Sequence, residues 1–363
     1  MAFKRRIAEM KKHMNPFELT RQLIDIPSIS GDEGEVGRFL ANYLASLGYR
    51  VERQEIENGR ANIIATTNAA PRVVLSTHLD TVPPHIPSSE DAEHIYGRGA
   101  CDTKGIIAAQ INAAEQLRAS GITEIGLLFT VEEETNSAGA RAANMHALAR
   151  ECRFLINGEP TENKLAIGSK GSVRLRLTTA GRAAHSAYPE QGESAIEKLL
   201  DVLKDIRAVN WPRDDFFGET TCNIGVIGGG TRSNIIPAHA EADLHIRLVT
   251  DSILVKEILE RTIAKRADVE YLSIAEPVRM LAVENFPHEV VRFTTDIPHL
   301  TDWGAPLLLG PGSILNAHTT HERIGKREIT DAIDLYMRLV RMLLARVRDE
   351  ATQTQAAPGK TYA

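Results

Sequence analysis

The sequence predicts an α/β protein with a mostly parallel mixed sheet and a smaller ferredoxin-like α+β domain inserted into it. Three observations carry this expectation. Between Phe17 and Ile156, apolar runs such as Val73-Val-Leu-Ser76 and Ile125-Gly-Leu-Leu-Phe-Thr130 alternate with amphipathic stretches, the order that builds a layered parallel sheet. From about Ile167 the pattern changes, and Ser172-Val-Arg-Leu-Arg-Leu-Thr178 alternates strictly between polar and apolar, as in a half-exposed antiparallel strand. The chain then returns to the first kind of pattern, so the second domain is read as an insertion. The expected division is residues 1–168 with 282–363, and residues 169–281.

Phe17–Ile26 and Glu33–Leu47 read as helices, the second stopped by Gly48. Arg50–Ile56, Ala61–Thr66 and Val73–Ser76 read as strands, followed by a polar loop over residues 83–93. A helix over Ile106–Ser120, a buried strand over Ile125–Thr130, a helix over Ala138–Ala149 and a strand over Arg153–Ile156 complete the first half. In the insertion, helices over Ser194–Val209 and Ile253–Lys265 separate the strands Thr221–Ile227, Ala240–Leu248 and Val269–Ser273. With Ser172–Thr178 this gives β-α-β-β-α-β order. Leu307–Gly312 reads as a strand and turn, and Glu328–Arg348 as a long helix before an aperiodic tail, Glu350–Ala363.

At 363 residues with 43% hydrophobic and 25% charged residues, the chain has the composition of a globular protein with a large core. Its net charge of −6 lacks the basic excess of a nucleic-acid binder, and no apolar run is long enough to span a membrane. The basic leader Met1–Met14 is followed by Asn15-Pro16-Phe17-Glu18, not by the apolar stretch of a signal peptide. Cys101, Cys152 and Cys222 form no C-x-x-C pair. These features point to a cytoplasmic protein with reduced thiols, Cys101 being a packed neutral one.

The chemistry-bearing residues stand where predicted strands end. His78 and Asp80 share one face of a strand end, because strand side chains repeat every two residues. His78 is expected to ligate a metal, with Asp80 fixing the orientation of its ring. Asp102 lies in the turn Gly97-Arg-Gly-Ala-Cys-Asp-Thr-Lys-Gly105, where one carboxylate can bridge two cations. Neither G-x-G-x-x-G nor G-x-x-x-x-G-K-[ST] is present, so the turn does not read as a phosphate loop. Glu132, Glu133 and Glu134 directly follow an apolar strand. One is expected to bind metal and its neighbour to accept a proton from metal-activated water. Glu159 precedes Pro160, and His318 and His321 would share a face if helical. Such a set of imidazoles and carboxylates matches a two-zinc hydrolase.

Together these segments resemble the M20 family of metallopeptidases and deacylases. The resemblance runs from about Pro16 to Arg348 and rests on Thr77-His-Leu-Asp-Thr-Val-Pro83, the Gly97–Gly105 turn, Glu133-Glu134, Gly158-Glu-Pro-Thr161, His185-Ser-Ala-Tyr-Pro189, Gly229–Pro237, and Gly310-Pro-Gly312 with Ala317-His318. It implies a zinc-exopeptidase-like catalytic domain holding two zinc ions, with cobalt or manganese as alternatives. Asp102 would bridge them, His78 and Glu159 would hold one, and Glu134 and His318 the other. Glu133 would be the general base and acid, a register in which Ser137 and Gly139 fall at the family offsets while Asn136 replaces a usual glycine. A cis peptide is implied after Asp102.

The inserted domain would be a lid and homodimerisation module. Its His185 would stabilise the oxyanion, and Asn234 and Arg247 would grip a substrate carboxylate. The expected reaction is hydrolysis of the amide bond of a small N-acyl amino acid, in the manner of a biosynthetic deacylase. A di- or tripeptidase or carboxypeptidase of the same family is the second reading, and a non-catalytic metal-binding protein of the same fold the third.

Overall fold

The computed structural model describes residues 13–67 and 70–356. All of the basic leader except His13 and Met14, and everything beyond Ala356, lies outside the described residues.

In chain order, the helices are α1 (Pro16–Ile24), α2 (Gly34–Ser46), α3 (Gly105–Ala119), α4 (Ala138–Asn144), α5 (Ala195–Arg207), α6 (Ser252–Ile263) and α7 (Lys326–Ala356). The main strands are β1 (Arg50–Glu57), β2 (Arg60–Thr66), β3 (Val73–His78), β4 (Ile125–Thr130), β5 (Phe154–Asn157), β6 (Leu165–Ser169), β7 (Gly171–Ala180), β8 (Thr221–Gly229), β9 (His239–Leu248), β10 (Asp268–Ala275) and β11 (Ala305–Leu308). Local chemistry sets several boundaries. The Asn15 side chain accepts the Glu18 N–H ahead of Pro16, capping α1, and Ser194 caps α5 through the Glu197 N–H.

Two compact units emerge. The first comprises residues 1–167, 280–289 and 295–363, and the second residues 168–279 and 290–294. In the first unit the strands run in the order β1-β2-β4-β3-β5-β11-β6. The four central strands β4, β3, β5 and β11 are mutually parallel, while β1, β2 and β6 are antiparallel to their neighbours. Helices α1, α2, α3 and α7 bury their apolar faces in one continuous core with the sheet, including Leu23, Leu40, Ile107, Phe129, Ile156 and Leu339. Parallel strands open their carboxyl ends on one edge, and that edge is where a ligand gathers.

The second unit is a four-stranded antiparallel sheet of order β8-β9-β7-β10, with α5 and α6 on its apolar face. The alternation seen in the sequence of β7 becomes alternating burial: Val173, Leu175 and Leu177 are in the core, while Arg174 is exposed.

Three expectations need correction. The helix expected over Ala138–Ala149 ends at Asn144, because His146 turns extended and its imidazole caps Leu148, opening a separate 3-10 turn over Ala147–Glu151. His318 and His321 occupy a turn and not a helix, with His318 in the left-handed region at φ 64°. The last helix begins at Lys326 and runs on to Ala356, past the expected Arg348.

Candidate metal centre

His78 ends β3, Glu133 and Glu134 follow β4 by three and four residues, and Glu159 follows β5 by two. Adjacent parallel strands thus deliver all four side chains to one edge of the sheet. Gly158 lets the chain pass close beneath: a Cβ there would collide with Ile106 and Gln110. Asp102 arrives from the irregular turn Ala100–Lys104 that opens α3. Gly99, at φ 87°, gives that turn its left-handed entry, and the peptide bond after Asp102 is cis.

The side chains converge on Asp102. Its Oδ1 lies 3.0 Å from His78 Nε2 and its Oδ2 lies 3.2 Å from His318 Nε2. His318 Nε2 is also 2.9 Å from Glu134 Oε1. Two donor triads result, His78–Asp102–Glu159 and Asp102–Glu134–His318, each with its ligating atoms within 4.8 Å of one another. Asp102 belongs to both. The Glu159 carboxylate oxygen Oε1 is buried with no hydrogen-bond partner, an arrangement that is costly without a cation to satisfy it. Two imidazoles and three carboxylates sharing one member fit a pair of divalent cations.

The surrounding groups hold these donors in place. His78 Nδ1 faces the Asp80 carbonyl oxygen at 3.0 Å and the Asp80 carboxylate at 3.4 Å. The backbone carbonyl therefore shares with the carboxylate the orienting role expected of Asp80. The Asp80 carboxylate also accepts the backbone N–H of Glu133 at 3.0 Å and of Glu134 at 3.1 Å, and the Ser30 hydroxyl at 2.7 Å. Glu322 fixes the Asp102 turn: it pairs with Arg98 at 2.6 Å and accepts the N–H groups of Cys101 and Asp102 at 3.3 and 3.2 Å.

The three glutamates divide by environment. Glu132 turns away to pair with Arg60, which also faces buried Glu33 at 3.5 Å. Glu134 points at His318, and Glu133 belongs to neither donor triad. Burial, then the charge of Glu159, pushes the Glu133 carboxyl well above its ordinary range. Burial opposes a charge on His78, yet hydrogen bonds to Asp102 and Asp80 hold its imidazole well above normal. His318, hydrogen-bonded to Asp102 and Glu134, is raised to about 10. Burial likewise pushes Asp102 up, but the two histidines outweigh it and leave that carboxyl depressed.

Cys101 is fully buried, and burial with the nearby Glu322 charge raises its thiol well above normal. It is not an activated nucleophile. Sequence reasoning missed Glu33, Arg60 and Asp296. Asp296 is a buried acid that accepts the Thr130 hydroxyl at 2.7 Å, and burial raises it to about 6. Asp296 follows Thr294-Thr295 in a stretch without periodicity, so no local signal marks it.

His185, Asn234 and Arg247 all lie in the second unit. His185 pairs by an isolated bridge with Ile235 and stacks edge-on with Tyr188, Asn234 is exposed beyond β8, and Arg247, on β9, donates to the Thr294 hydroxyl at 3.2 Å.

Residues 167–274 match the family model described as a peptidase dimerisation domain, and residues 62–209 match one described as peptidase family M28. A Peptidase M20 domain-containing protein of Schizosaccharomyces pombe is 35% identical over 337 residues, covering 90% of this chain and 84% of the relative. The chain belongs to the M20 peptidase family. A probable carboxypeptidase of Uncinocarpus reesii is 34% identical to this M20 protein, over 90% of it and 86% of the relative. Among solved structures, a tripeptidase from Staphylococcus aureus superposes with a TM-score of 0.74 at 20% identity, covering 91% of this chain and 98% of that one. An M20 family metallo-carboxypeptidase from Sulfolobus solfataricus gives 0.73 at 17% identity, covering 90% and 98%. These two likenesses describe the fold that the M20 protein adopts. Among the described residues, no helix is long and apolar enough to cross a membrane.

Proposed function

We propose that this M20 protein is a two-metal peptidase that hydrolyses an amide bond in short peptides, with small N-acyl amino acids as the second substrate class. The observation that carries this reading is the sharing of Asp102 between two donor triads, with the half-buried acid Glu133 beside them but in neither. His78 and Glu159 would hold one cation, Glu134 and His318 the other, and Asp102 both. Zinc suits this mixture of imidazole and carboxylate, and cobalt or manganese are alternatives.

When bound, such a metal pair polarises the scissile carbonyl and makes water acidic enough to be deprotonated near neutral pH. Glu133 accepts the proton of the attacking water and returns it to the leaving amine. Asp80 keeps the two glutamates and His78 in register by holding two backbone N–H groups and facing the imidazole. For the second unit we propose the roles implied by the family resemblance: oxyanion support by His185, carboxylate binding by Asn234 and Arg247, and homodimerisation.

Peptides come first because relatives carry carboxypeptidase names. The deacylase expected from the sequence takes second place. The test is an assay of zinc- and cobalt-loaded protein on dipeptides, tripeptides and N-acetyl or N-succinyl amino acids. Metal-dependent release of an amino acid from the peptides is expected. Stoichiometric metal binding without turnover of any amide would instead leave a non-catalytic metal-binding protein.

A further inference from the structure

We propose that Asp296 is a positioning residue for the loop that carries Glu133 and Glu134. The loop spans residues 131–136, between Thr130 at the end of β4 and Ser137 at the cap of α4. Asp296 is only 2% exposed, and its Oδ2 accepts the Thr130 hydroxyl at 2.7 Å. Its other oxygen, Oδ1, is buried with no hydrogen-bond partner, so the bond to Thr130 is the one that ties this carboxylate to the loop. One buried acid from a remote part of the chain therefore anchors the start of the loop.

The path of the loop requires such an anchor. Glu132 and Ser137 both sit in the left-handed region, at φ 62° and 54°, which non-glycine residues adopt when their surroundings hold them there. The Glu132 carbonyl gathers the N–H groups of Asn136 and Ser137 at 3.2 and 2.7 Å, closing the loop on itself. Asp80 fixes the middle of the loop through Glu133 and Glu134, and Arg60 with Glu33 fixes Glu132. At the Thr130 end it is Asp296 that holds the side chain. A displacement of about 1 Å at a reacting group is enough to cost large factors in rate.

The catalytic part of this inference rests on the proposed roles of Glu133 and Glu134, and the experiment separates the two. Asp296→Ala, Asp296→Asn and Thr130→Val are compared with wild type, first by amide hydrogen exchange of the metal-free protein. In Asp296→Ala, exchange in peptides covering residues 131–137 should rise about tenfold or more, with β7–β10 unchanged. Asp296→Asn should restore most protection, because its amide oxygen still accepts from Thr130. Thr130→Val removes the hydroxyl at nearly constant volume and should reproduce the loss even if Asp296→Ala folds poorly. In the metal-loaded protein, kcat of Asp296→Ala should fall roughly tenfold or more at nearly constant KM, again with rescue by Asp296→Asn. Unchanged loop exchange, a rise spread evenly over both units, or faster loop exchange with unchanged kcat would each overturn the proposal. A wild-type protein that turns over no amide would contradict the proposed function, while the exchange data would still decide whether Asp296 holds the loop.

Discussion

The carboxylate of Asp80 lies 3.0 Å from the backbone nitrogen of Glu133. A residue at the end of one parallel strand thereby fixes the main chain just beyond the end of its neighbour. The same carboxylate takes the Glu134 N–H and faces His78, so one buried group sets the register of the proposed base and of two proposed ligands. Asp80→Ala should lower metal affinity about 10–100-fold and reduce turnover even at saturating metal. Titration calorimetry on the metal-free protein, followed by kinetics with excess zinc, reads both effects.

The three consecutive glutamates should be separable by substitution. Glu133→Gln should bind metal normally and lose nearly all turnover. Glu132→Gln should keep the chemistry, because that side chain pairs with Arg60 and not with the donor cluster. Comparable loss of kcat in both variants would place the base wrongly.

Arg60 is a stability determinant more than a chemical one. Its guanidinium is nearly buried between Glu33 and Glu132, and removing one partner of a buried charge cluster costs about 3–5 kcal/mol. Arg60→Met should show a loss of that order in urea unfolding of the metal-free protein, while Glu132→Gln should lose less.

Metal uptake should release protons. Without metal, hydrogen bonds to Asp102 and Glu134 raise His318 to about 10, so it is protonated at neutral pH and must lose that proton to ligate. Metal affinity should therefore rise with pH. For the metal-free fold the sign is opposite: the raised His318 contributes stability that is complete below its unfolded value near 6.5 and lost as pH rises through about 10. Calorimetry in buffers of different ionisation enthalpy counts the protons, and thermal melts across this range follow the stability.

Much of this was legible from local pattern. The alternation of Ser172–Thr178 marks the half-exposed face of β7, and apolar runs ending in His78, Glu134 and Glu159 place candidate donors at strand ends. What escaped depends on distant contacts. Asp296 reaches Thr130 across 166 positions, and Arg60 meets Glu132 across 72; neither leaves a periodic trace. The His318–His321 spacing suggested a helical face, but the chain there is a turn that brings His318 alone to Asp102. The early end of α4 was also hidden, because the imidazole of His146 competes for a backbone N–H that helical periodicity assigns to the helix.

Asp102 is proposed to join two cation sites built from His78, Glu159, Glu134 and His318. Anomalous diffraction at the zinc edge from zinc-loaded crystals tests it most directly. Two peaks flanking the Asp102 carboxylate, about 3.5–4 Å apart, are the predicted result. A single peak away from Asp102, or none at these five side chains, would contradict it.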